Sequence, residues 1–181
     1  SVSDLLVADD KAQALFDNCF QVLNGPDAPD LQVQELNKEL IFYIVNPGSS
    51  NNADDTYEEK DPNIVTPDFL AEANPPIFYD NQYRFQGYQV YQLAGPGISV
   101  NDVEDPSKAR LVFQCDIKDD VVDLINFTFD KSLNANIPVK KVTAANEGIQ
   151  RSFSVNLDLF ADGDAALVNY KTYYYLAIAY G

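Results

Sequence analysis

The chain has 181 residues, 12 basic against 28 acidic, with no His, Met or Trp and two Cys. That length gives one domain with room for an appendage, and 46% apolar residues are enough for a core. A net charge of −16 argues against nucleic acid and anionic lipid surfaces. The lack of His removes the usual base of Ser and Cys nucleophiles and the commonest metal-binding imidazole.

Residues 1–30 read as a helical leader and linker. Leu5, Leu6, Leu15, Phe16, Cys19 and Phe20 follow helical spacing, which predicts an amphipathic helix over 9–20. Asn24-Gly25-Pro26 then closes it, because Pro cannot continue a helix and Gly accepts the left-handed cap. No stretch reaches the ~20 apolar residues of a membrane helix. Neither end shows a signal-peptide pattern, so a secretion signal is expected to have been removed or to lie outside this sequence.

From residue 31 onward the period becomes two, and 31–181 reads as an all-β unit. The run Leu40-Ile41-Phe42-Tyr43-Ile44-Val45 is apolar on both parities and predicts a central strand covered on both faces. Residues 48–80 carry six acids between Asp54 and Asp68 and are rich in Pro, which predicts a long acidic insertion loop with no buried element. The apolar parity switches at Gly87, predicting a bulge or local twist there. Ser99 to Val103 resembles a capped helical turn. Further strands are expected at 111–117, 121–129, 152–160 and 173–179.

Two stretches carry a resemblance. In the segment 167–180, Leu167 is followed six residues later by Tyr173, with Tyr170 where a turn Gly is usual; this resembles the tyrosine corner of bacterial fibronectin type III domains. Phe85-Gln86-Gly87-Tyr88-Gln89-Val90-Tyr91 resembles a central strand of the same fold. Residues 10–20, 39–42, 105–112 and 146–149 resemble segments of large Bacteroidetes surface proteins exported by type IX secretion. The resemblance implies a fibronectin type III/immunoglobulin-like β-sandwich at the cell surface or outside the cell, with no catalytic residue. It also implies a seventh strand after Tyr180, so the edge beside 173–179 is expected to be completed by a strand from elsewhere. In that extracellular setting Cys19 and Cys115 become disulfide candidates, the alternative being two buried thiols.

Two acidic groups have the hard oxygen ligands that calcium prefers: Asp158, Asp162 and Asp164, and the cluster of Asp54, Asp55, Glu58, Glu59 and Asp61. Neither follows EF-hand order, and solvated acidic loops are the competing reading, so no cofactor is expected. Acids are plentiful enough for glycoside hydrolysis, yet nothing singles out a pair, and no enzyme is expected. Asn126-Phe127-Thr128 matches a glycosylation pattern inside a predicted strand and reads as chance. Alternation sends Tyr174, Leu176, Ile178 and Tyr180 outward, an apolar set suited to protein partners, strand donation or self-assembly. The expected role is therefore a structural or adhesion module in protein–protein assembly. The rival reading, prompted by the 11 Tyr, is a carbohydrate-binding module attached to a secreted hydrolase.

Overall fold

The computed structural model describes residues 23–62 and 64–181. The helix expected over 9–20, and Cys19 with it, lie outside the described residues. The regular elements of the rest are almost all strands, arranged in antiparallel sheets, with helix limited among the described residues to one turn at Asp68–Ala71 and a 3-10 turn at Val100–Asp102.

In chain order the strands are β1 (Asp30–Leu36), β2 (Glu39–Val45), β3 (Glu58–Lys60), β4 (Gln82–Arg84), β5 (Gly87–Leu93), β6 (Ala109–Asp116), β7 (Asp123–Asp130), β8 (Ala135–Thr143), β9 (Ser152–Val155) and β10 (Tyr174–Tyr180). Two three-stranded sheets dominate, in the orders β1-β2-β9 and β10-β5-β6; β3-β4 and β7-β8 form two-stranded ribbons. The alternating residues of β2 explain how the larger sheets meet. Phe42 and Ile44 are buried on one face, and each joins side chains of the opposite sheet. Ile44 packs with Tyr88 and Val90 of β5, Cys115 of β6 and Ala177 of β10. Phe42 packs with Val155 of β9 and with Leu167, its ring 4.6 Å from Tyr175 of β10 and 5.2 Å from Phe153 of β9. Phe153 in turn stacks on Phe113 of β6 at 4.1 Å.

Several expectations need correcting. β2 is central in its sheet but is not covered on both faces, since Tyr43 and Val45 are exposed; its unbroken apolar run hid a half-buried alternation. The register shift in β5 falls between Val90 and Tyr91 rather than at Gly87. Gly87 answers a different need. A Cβ there would stand 2.6 Å from the Tyr180 hydroxyl and closer still to the Cys115 carbonyl, so only Gly lets the three strands approach. The strand expected over 152–160 stops at Val155, followed by a single bridge between Leu157 and Ala166. The insertion over 48–80 is not loop throughout. It contains β3 and the Asp68–Ala71 turn, and it buries Asn52, Tyr57 and Asp61. The capped turn is as expected: Ser99 and Asp102 form a reciprocal capping box, and Lys108 beside Asp102 holds that carboxyl down to about 2.

Candidate functional site

The unit most suited to interaction is the outer edge of β10. All seven of its residues pair with β5, from Tyr174 opposite Leu93 to Tyr180 opposite Gly87. Among the described residues no strand pairs with its other side. Tyr175 and Ala177 turn toward the core, so Tyr174, Leu176, Ile178 and Tyr180 share the opposite face. Tyr174 is exposed, and the other three are half-buried. Tyr180 lies across Gly87, its hydroxyl 3.5 Å from the Cys115 carbonyl; burial raises its phenol above the ordinary range, with Asp116 adding to the shift. A second groove, of about 460 Å³, opens at this end of the strand between β3-β4 and β7-β8, with Tyr83, Ile125 and Val142 in its walls.

The loop that feeds β10 is tied down by one phenol. Leu167 is 2% exposed, and the Val168 N–H donates to the Tyr173 hydroxyl at 2.8 Å, satisfying a backbone group that the loop leaves over. Leu167 and Tyr173 thus close the corner between this loop and β10. Between them Tyr170 adopts a φ of 65°, in the left-handed region where a side chain is strained and Gly is favoured.

Among the described residues the structure does not gather a calcium site. Asp158 is buried and already engaged: it accepts from Lys171 Nζ at 2.6 Å, from Gln92 Nε2 at 2.7 Å and from the Phe160 N–H at 3.0 Å. Burial, the largest influence, pushes its carboxyl up, but these donors together hold it below the usual range. Asp164 is exposed and turns back to cap the Ala166 N–H. In the insertion, Asp55 pairs with Arg151 and Glu58 with Arg84. Among the described residues no group of three or more His, Cys, Asp or Glu is placed to hold a metal.

Cys115 is a free, buried thiol among the described residues, directed at the Gln150 carbonyl at 3.5 Å, and burial raises its pKa. The candidate bridge to Cys19 falls outside the described residues.

One cluster escaped the sequence reading. The Tyr88 hydroxyl donates to Asp55 and receives the Asn46 amide at 2.6 Å, the Asn52 amide at 3.3 Å and the Arg151 guanidinium at 3.3 Å. Burial first, and the Asp55 contact second, push this phenol up to about 12. Asn52 also accepts the Tyr57 N–H, and the Tyr57 hydroxyl reaches the Asn24 carbonyl at 2.7 Å. The start of the insertion is therefore fastened to β5 and to the segment before β9. Its only sequence signal was Asn and Asp residues just after a strand, which turns also supply.

No protein-family model, curated protein or solved structure matches this chain. No helix among the described residues is long and apolar enough to cross a membrane.

Proposed function

We propose that the chain is a non-catalytic structural or adhesion module of a cell-surface protein exported by type IX secretion, a fibronectin type III-like β-sandwich that acts in protein–protein assembly. Three features support the fold part of this reading. The order β1-β2-β9 corresponds to strands A, B and E, and β10-β5-β6 to F, C and C′, of an immunoglobulin-type sandwich. The bond from Val168 to Tyr173 falls just before the strand that corresponds to F, where the tyrosine corner belongs. Side chains of both sheets interlock in common clusters.

The observation that carries the assembly part is the open edge of β10. Seven residues, none of them polar apart from the Tyr hydroxyls, leave one row of N–H and C=O groups without a strand partner among the described residues. Such an edge is a template for strand addition, and proteins that do not use it blunt it with Lys, Pro or a bulge. β10 has none of these.

Hydrogen exchange combined with light scattering tests the reading. In dilute protein, alternate amides of β10 should exchange fast while those bonded to β5 stay protected. On association, or on adding an extracellular partner protein, the fast set should become protected. A chain that stays monomeric at every concentration, with uniformly slow exchange along β10, overturns strand addition.

A further inference from the structure

A groove of about 630 Å³ runs between the β1–β2 turn and the 167–173 loop, with Tyr175 of β10 in its lining. Its two walls are held together by Asn169, which accepts the Lys38 N–H at 2.9 Å and donates to Asn37 Oδ1 at 2.9 Å. Phe42 and Tyr175 form the floor. The volume is that of a small-molecule site rather than a packing defect.

Two features of this groove are not accounted for by folding. Tyr170 holds a φ of 65° and is 107% exposed, so it bears backbone strain while its ring covers no part of the core. A strained, exposed aromatic at the lip of a cavity points from outlier to function, since folding alone favours Gly there. In the same lining, the Tyr175 hydroxyl is buried without a hydrogen-bond partner among the described residues.

The surrounding chemistry defines the ligand. Glu35, Glu39 and Lys38 line the groove together with Lys171, whose ammonium bonds Asp158, and the Asn37 and Asn169 amides stand among them. That balance favours a neutral ligand rich in hydroxyls, and a net charge of −16 repels polyanions. An exposed phenol ring offers an apolar face with a polar tip, which matches the C–H face and hydroxyl rim of a sugar ring. A peptide would gain instead from main-chain bonds along the free edge of β1, which need no strained aromatic.

We propose that this groove binds a neutral saccharide, with Tyr170 as the stacking platform and the amides and charged groups of the lip as hydroxyl partners. The site gives the carbohydrate reading raised by the Tyr content a definite place, and it is independent of assembly through β10.

Affinity electrophoresis of the whole chain in native gels containing laminarin, mannan, xyloglucan or soluble starch, with polygalacturonate as the anionic comparison, tests it. Retardation by at least one of the four neutral polymers is expected, reversed by its free oligosaccharide. Tyr170→Gly should weaken that retention about ten-fold, in keeping with the loss of one aromatic stacking contact. The same variant should unfold at an equal or higher temperature, which separates lost binding from lost folding. Retardation by none of the four, by polygalacturonate alone, or to the same extent in Tyr170→Gly overturns the proposal. None of these results bears on association through β10, which light scattering reads separately.

Discussion

Strands β5 and β10 lie side by side in one sheet, yet their sequences and their burial run in opposite senses. β5 reads Gly-Tyr-Gln-Val-Tyr-Gln-Leu and buries Tyr88, Gln89, Val90 and Gln92. β10 reads Tyr-Tyr-Leu-Ala-Ile-Ala-Tyr, is the more apolar of the two, and fully buries only Ala177. Position explains the difference in burial. β5 has a strand on each side, and its Gln side chains are satisfied in place: Gln92 bridges Asp158 and the Leu159 N–H, and Gln89 holds Gln114 and Tyr91. Among the described residues β10 has a strand neighbour on one side only. The contrast teaches that burial within this fold explains the composition of β5, whereas the apolar character of β10 exceeds what its packing uses.

The largest break in that comparison should come from the strand with the polar sequence. Tyr88→Ala empties a fully buried ring site and dissolves the cluster of Asn46, Asn52, Asp55 and Arg151 around its hydroxyl. We expect a loss of about 3–5 kcal/mol, the range for large aromatic-to-Ala changes in cores. Urea unfolding monitored by circular dichroism reads it, and a loss below about 1 kcal/mol would mean that the site collapses and the hub is dispensable.

That hub also marks the limit of what the residue order conveys. β1, β2, β6, β7 and β10 were legible because their apolar residues alternate or run between turn signals. β3 and β4 were not, being three residues each of Glu, Lys, Gln, Tyr and Arg with no period to read. β8 contains Pro138, which argues against a strand, but among the described residues β8 pairs only with β7, so one of its sides has no described strand to bond. The insertion averages out as acidic loop, and an average conceals single anchors such as Asn52 and Tyr57. At the candidate site the outward parity of β10 followed from alternation alone. Its position at a sheet edge followed from the resemblance. The Asp158–Lys171 pair spans 13 residues and an irregular segment, a distance at which spacing carries no signal, so the sequence offers Asp158 only as a calcium candidate or part of a solvated acidic loop.

The next effect tests the far end of β5. Asp158→Ala removes the partner of buried Gln92 and of Lys171, and we expect a loss of about 1–3 kcal/mol, the cost of leaving a buried donor unsatisfied. The sign with pH follows from the lowered carboxyl. A group whose pKa falls on folding stabilises above its unfolded value and loses that contribution as pH drops through its folded value. The gap between parent and variant should therefore be widest near neutrality and narrow below the ordinary Asp range. A gap that widens on acidification would show that Asp158 is not held ionised.

A smaller change of opposite sign is expected where the corner loop enters β10. Tyr170→Gly relieves left-handed strain but loosens the unfolded chain, leaving a net gain of about 0.5–1 kcal/mol. Thermal unfolding measures it. A variant less stable than the parent would mean that the Tyr170 ring holds the loop in place.

The smallest effect on folding should fall at the open edge, and it sharpens the comparison most. Tyr174 begins β10, is 37% exposed, and shares the outward face with Leu176 and Ile178. Tyr174→Lys should change stability by no more than about 0.5 kcal/mol, as for surface positions without special contacts. Lys is nonetheless what edge strands use to discourage pairing. Association seen by light scattering should therefore shift to several-fold higher concentration in this variant while the unfolding curve stays in place. The substitution also takes one negative charge off the net, from −16 to −15, which by itself would ease the approach of two copies. Weakened self-association then reflects the edge and not the overall charge. Salt adds a second reading: two copies of so acidic a chain should associate more readily as salt screens them, whereas binding to a basic partner should weaken. If association is unchanged in Tyr174→Lys and lost in Tyr88→Ala, the partner surface lies with the insertion that Tyr88 fastens, and β10 is merely an apolar strand at a quiet edge.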